Sequence, residues 1–171
     1  PYTECIGKNA VLLSTGKIIA TPAILYNSDG SKDTTTPFIK FVMSSLRYVN
    51  AFNGKIIGFN YDDSISLYNY DGSLDTNFVS PIFTSTFSPE ILNAKMEPDG
   101  KILVCGYLTQ VNGISRKNIV RLNPNGSVDT SFTFDPLIND LQRIDSFIRQ
   151  NDGKYIVGGF FKRSINSTYN Y

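Results

Sequence analysis

One short phrase, Gly-Lys followed by apolar residues, recurs four times: "GKII" at Gly16, "GKIIGF" at Gly54, "GKILVCGY" at Gly100 and "GKYIVGGF" at Gly153. Successive copies begin 38, 46 and 53 residues apart, a mean of roughly 46 that lies near the four-stranded unit of a propeller blade. A second phrase falls between the copies: "YNSDGSKDT" from Tyr26, "YNYDGSLDTNF" from Tyr68 and "LNPNGSVDTSF" from Leu122. A fourth copy is expected at Tyr169-Asn170-Tyr171, which repeats Tyr68-Asn69-Tyr70 and stops before the Asp-Gly. The expectation is one domain over 1–171, a segment of a larger protein. Its repeats fall at about 7–44, 45–90, 91–143 and 144–171, the last cut in mid-hairpin.

The residues around these anchors read as strands. In "ILNAKMEPDGKILV", Leu92, Ala94 and Met96 alternate with Asn93, Lys95 and Glu97, the period of two that sends apolar side chains to one sheet face. Pro98-Asp99-Gly100 supplies a turn, because Asp bonds its own backbone and Gly accepts positive φ. Lys101 to Tyr107 is nearly all apolar, the pattern of a strand covered on both faces. Small residues at Cys105, Gly106, Gly158 and Gly159 predict close approach of neighbouring backbones. A third strand is predicted at Ile24 to Tyr26, Ile65 to Tyr68 and Ile119 to Leu122, and no stretch has a convincing helical length. Gly30, Gly72, Gly100 and Gly126 are predicted at turns, with Asp75 and Asp129 accepting backbone N–H groups nearby.

With these motifs in view, the sequence resembles the delta-60 repeat family, whose units run "PDGKILVGG", an "NG" loop, "RLN" and "DGSLDTSF". Glu97 to Phe132 matches across nearly its full length, "RQNDGKYIVGGFF" matches the first half, and the first two repeats diverge. The resemblance implies an all-β, propeller-like array of the kind found in large bacterial surface proteins and in phage virions, with repeats acting as scaffold and no shared catalytic residue.

Composition narrows the partners. Sixteen basic and fifteen acidic residues leave a net charge of +1 with no basic run, which argues against nucleic acid. No apolar stretch approaches a membrane span and no signal-peptide pattern opens the chain. Cys5 and Cys105 are too far apart for a close-spaced zinc pair and suggest no disulfide framework; Cys105 reads as a buried strand residue. The chain has no His and no Trp, so the usual general base and commonest transition-metal ligand are missing.

Three kinds of site remain to be weighed. Asp71, Asp75, Asn125 and Asp129 carry oxygens suited to calcium. They equally suit strand-joining turns, which the sparse acidic spacing favours, with Phe78 and Phe132 plugging gaps between repeats. Asp62-Asp63 is the only adjacent acidic pair, and on a strand the two would point to opposite faces, against a propeller glycoside hydrolase. The Asp-Gly turns also lack the Trp that follows them in sialidase Asp-boxes. The polar loop "TQVNGISRKN", Thr109 to Asn118, is the recognition candidate, through Gln110, Asn112, Arg116 and Lys117, although its Asn-Gly and Arg belong to the repeat pattern, which favours a structural turn. Tyr61, Tyr107 and Tyr169 are possible stacking platforms for sugars. The glycosylation-type triplets at Asn125 and Asn166 carry no meaning in a bacterial or phage protein.

The reading is a non-enzymatic structural and binding module without cofactor or metal. Its first home is a phage virion tail or appendage, giving a rigid surface for host contact or subunit docking. The alternative is an extracellular, adhesin-like propeller on a bacterial surface. The expected partners are other subunits or further parts of the same polypeptide, and a host glycan or protein.

Overall fold

The structure, a computed structural model, describes residues 10–20, 24–35, 46–60, 62–86, 88–134 and 141–161. All of its regular structure is strand. The elements are β1 (Ala10–Leu12), β2 (Ile18–Ala20), β3 (Ile24–Tyr26), β4 (Leu46–Phe52), β5 (Lys55–Asn60), β6 (Ile65–Asn69) and β7 (Phe83–Thr84). There follow β8 (Glu90–Met96), β9 (Ile102–Tyr107), β10 (Gln110–Val111), β11 (Ile114–Ser115), β12 (Ile119–Leu122), β13 (Leu141–Arg149) and β14 (Tyr155–Phe161). Four antiparallel sheets correspond to the four Gly-Lys anchors: β1-β2-β3, β4-β5-β6, β8-β9-β12 and the pair β13-β14. This is an all-β fold of propeller-type repeats.

Where the period suggests four strands, each of the first three sheets has three and a remnant of a fourth. After the Gly-Ser turn the chain folds back for a single bridge, Tyr26 to Lys32, Tyr68 to Leu74 and Leu122 to Val128. The return ends there because Asp33, Asp75 and Asp129, one residue later, cap a further turn through their side chains.

The core lies between the sheets, in three clusters. Leu13, Ile19 and Leu25 pack on Ile56 and Tyr68 between the first and second sheets. Ile57, Phe59, Ile65 and Leu67 meet Ile91, Ala94, Ile102 and Val104 between the second and third. Leu103, Cys105 and Ile119 meet Ile144 and Phe147 between the third and fourth. β9 is thus buried on both faces, as its unbroken apolar run requires: Ile102 and Val104 face backward while Leu103 and Cys105 face forward. Phe78 and Phe132, which close the second and third repeats, enter the clusters ahead of their own sheets. The first strands of consecutive sheets, β1, β4, β8 and β13, are neighbours in turn, as expected when sheets fan from a common inner edge.

The alternation read in β8 is corrected at one residue. A register shift between Ile91 and Asn93 leaves Leu92 unpaired as a bulge. Ile91 therefore joins Ala94 and Met96 on the buried face, while Leu92 is only half-buried. The bulge needs Gly106 opposite: a Cβ there would lie 1.9 Å from the Glu90 carbonyl oxygen. The fourth sheet repeats the device, with a shift between Ile144 and Ser146 and a Gly159 Cβ that would meet the Arg143 carbonyl oxygen at 2.2 Å.

Candidate functional site

The two recurring phrases meet in space. Lys17 Nζ lies 2.7 Å from Asp33 Oδ2, and Lys55 and Lys101 lie 2.8 Å from Asp75 and Asp129. In each of the first three repeats, the lysine after the turn glycine clasps the aspartate that follows the Gly-Ser turn, crossing from the middle strand to the folded-back end. The other oxygen of each aspartate accepts a backbone N–H two residues on, from Thr35, Asn77 and Ser131. Lys55 holds the Asp75 carboxyl below the usual carboxylate range. For Asp129, Lys101, Ser131 and Arg121 together push it well below that range.

Just before each clasp the chain turns in the same way. Asp29, Asp71 and Asn125 accept the backbone N–H and hydroxyl of Ser31, Ser73 and Ser127. Gly30, Gly72, Gly100 and Gly126 all have positive φ, between 81° and 88°. Gly126 has a second reason to be glycine, because a Cβ would lie 1.9 Å from the Val79 carbonyl oxygen. For the calcium reading the consequence is direct: the oxygens of Asp71, Asp75, Asn125 and Asp129 already accept from Ser and Lys within their own repeats. Among the described residues no group of three or more His, Cys, Asp or Glu side chains converges on one point.

A polar cluster joins the third and fourth sheets. Arg121 Nε donates to Asp129 Oδ2 at 2.8 Å, and its guanidinium lies 4.8 Å over the Phe132 ring. Glu97 accepts the Tyr155 hydroxyl and is approached by Arg121 and Arg149 at 3.7 and 3.5 Å. Burial, reinforced by Glu97, raises the Tyr155 phenol. Both carboxylates, Asp129 and Glu97, are held by cations within the cluster, Lys101, Arg121 and Arg149, which fits a brace between sheets. Cys105 is buried beside it, its thiol pushed up to about 12 by burial and then by Asp145.

Two sequence expectations need correction. Asp62 and Asp63 lie in the turn between β5 and β6, not on a strand. Asp63 has φ of 60°, while Asp62 caps Ser64 and is held below its ordinary range chiefly by that serine. The stretch Thr109 to Asn118, read as a loop around a structural Asn-Gly turn, adds two short strands to that turn and forms a hairpin. Asn112 and Gly113, both at positive φ, turn β10 into β11, as an Asn-Gly pair does in a two-residue hairpin. β10 also pairs with β7, and Val111 and Leu108 plug the cluster between the second and third sheets.

The recognition candidates accordingly do not share one surface role. Gln110 lies exposed on β10; Asn112 Oδ1 accepts the Ile82 N–H at 2.8 Å; Arg116 is half-buried and donates to the Ser115 carbonyl; Lys117 is exposed. Tyr107, at the end of β9, lines a shallow hollow with Glu90, Arg143 and Phe160. Cys5, Tyr61, the Asn166 triplet and Tyr169-Asn170-Tyr171 lie outside the described residues. Sequence reasoning missed the exposed apolar residues of the outlying sheets as particular residues: Leu12 on the first, Ile148 and Ile156 on the fourth. The signal was present, since Ile156 holds the place in its repeat that Leu103 holds in the third.

No curated protein matches the chain. Residues 97–132, which contain β9 to β12, the third clasp and its turn, match a family model described as a domain of unknown function (DUF5122) beta-propeller. That stretch is therefore similar to a β-propeller repeat family, and the three other sheets, with their own Gly-Lys anchors, extend propeller-type repeats along the chain.

Proposed function

We propose that the chain is a non-enzymatic structural and binding module made of repeats of the delta-60 kind. In this reading it belongs to a phage virion, in the tail or an appendage, where clasped sheets present a rigid surface for host contact and for docking of other subunits. One observation supports the reading: the faces between successive sheets are packed, whereas Ile148 and Ile156 stand side by side in solvent on the fourth sheet. Contiguous exposed apolar surface on a repeat array marks contact with further polypeptide. The β10–β11 hairpin and the residues that follow it, where Gln110, Asn112 and Lys117 are exposed, form the surface offered to a host glycan or protein.

The test is immunogold microscopy with antibody to this chain, on particles and cells from the source culture. Label on virion tails is expected. Label confined to the outer surface of cells would replace the virion with an adhesin-like role, and label confined to the cytosol would overturn both.

A further inference from the structure

We infer that Asn53, at the tip of the β4–β5 hairpin, is a site of spontaneous covalent modification: its side-chain amide is lost to attack by the Gly54 nitrogen while the chain stays folded. The products are aspartyl and isoaspartyl residues. The inference stands on local geometry and is independent of where the protein resides.

The chain holds three Asn-Gly pairs, at Asn53, Asn112 and Asn125. Glycine has no Cβ to shield its nitrogen, so all three share the same reactive dipeptide. The glycine nitrogen gives its proton to hydroxide and attacks the asparagine Cγ. The N–Cγ bond forms, the Cγ–Nδ2 bond breaks and ammonia leaves. Water then opens the five-membered imide at either carbonyl, giving aspartate or isoaspartate with no change in oxidation state. The step needs a glycine N–H that is not held and a carboxamide that can rotate onto it.

The fold withholds both at Asn125. The Gly126 N–H donates to the Asn123 carbonyl at 2.9 Å, and Asn125 Oδ1 accepts the Ser127 N–H at 3.0 Å and its hydroxyl at 2.7 Å. The Asp-Gly turns at Gly30, Gly72, Gly100 and Gly153 tie the glycine N–H in the same way, to the carbonyl three residues back. At Asn112 it is the side chain that is held. Its Oδ1 accepts the Ile82 N–H at 2.8 Å while its own N–H donates to the Ile82 carbonyl at 2.9 Å.

Asn53 escapes both restraints. It is exposed, its carboxamide meets no hydrogen-bonding partner among the described residues, and a Cβ on Gly54 would touch nothing within 4 Å. With φ of 49° and 79°, Asn53 and Gly54 form the two-residue turn between the paired Phe52 and Lys55. Such a turn closes through its flanking residues and leaves the second central N–H unused. Conversion there places a carboxylate at the hairpin tip, and the isoaspartyl form also lengthens the main chain of a tight turn.

The test incubates the whole chain at mildly alkaline pH, folded and in guanidinium chloride, and follows the three Asn-Gly peptides by mass spectrometry. Chromatography separates the asparaginyl, aspartyl and isoaspartyl forms. In the folded chain Asn53 is expected to convert at least about tenfold faster than Asn112 and Asn125, because each slow site must first break hydrogen bonds of its turn. Higher pH should speed the reaction, since the attacking nitrogen must lose its proton. In denaturant the three rates should converge. Equal rates in the folded chain would overturn the inference, as would Asn112 or Asn125 leading, or a gap that persists in denaturant.

Discussion

Leu103 in the third sheet and Ile156 in the fourth stand at the same place after their Gly-Lys anchors, yet one is fully buried and the other lies mostly in solvent. Their lysines part in the same way. Lys101 reaches across the sheet to an almost buried Asp129, whereas Lys154 pairs at 3.0 Å with Asp152 in its own turn, both side chains exposed. Both stretches form a strand after the same Asp-Gly turn with similar hydrogen bonds at its mouth. What differs is the company. The phrase specifies strand and turn by itself, but burial and ion pairing come from the neighbouring sheet and from the folded-back hairpin.

Breaking that contrast should have its largest effect at the paired apolar positions. Leu103→Ala is expected to cost about 2–5 kcal/mol, the range for emptying a filled core site. Ile156→Ala should cost about 0.5 kcal/mol or less. Urea unfolding of both variants reads the gap, and equal losses would show that the fourth sheet is as well covered as the third.

A smaller gap is expected between the lysines. Lys101→Met leaves a nearly buried carboxylate with Arg121 as its remaining cation, a loss of about 1–3 kcal/mol. Lys154→Met removes an exposed local pair and should fall within about 0.5 kcal/mol. Thermal melts of the two variants beside wild type make the comparison.

The smallest effect is the most specific, because it tracks pH. Asp75 and Asp129 titrate below their ordinary value of about 3.9 when folded. Their contribution is fully present above about pH 4 and is lost as the pH falls through the lowered folded values. The stability difference between wild type and Lys101→Met should therefore be constant from neutral pH down to about 4 and shrink below it, whereas Lys154→Met should show little change. Denaturant midpoints over a pH series would reveal it, and a gap that persists into strong acid would detach Lys101 from the Asp129 carboxylate.

Much of the fold was legible because its signals are local. The Asp-Gly turns, the two-sided burial of Ile102 to Gly106 and the close approach at Gly106 and Gly159 each depend on residues adjacent in sequence or opposite in one hairpin. The clasps were not legible, although both halves were in view: Lys101 and Asp129 are separated by 28 residues, and only the return of the chain past β12 brings them together. The β10–β11 hairpin was read as a loop because each strand holds two residues, too few for alternation to show. The bulge at Leu92 was hidden because Ile91 and Leu92 are both apolar, and only the register reveals which one turns inward.

The single bridges at Lys32, Leu74 and Val128 bear on how such a molecule can grow. A long free strand edge would recruit any passing strand and spread sideways into tangled ribbons. Here the outer return of each of the first three sheets is one bridge long, and a lysine occupies the first of them, so lateral recruitment finds little to zip onto. Growth runs instead sheet upon sheet, each new repeat seated on the broad face of the one before it, as in the three clusters already formed between successive sheets.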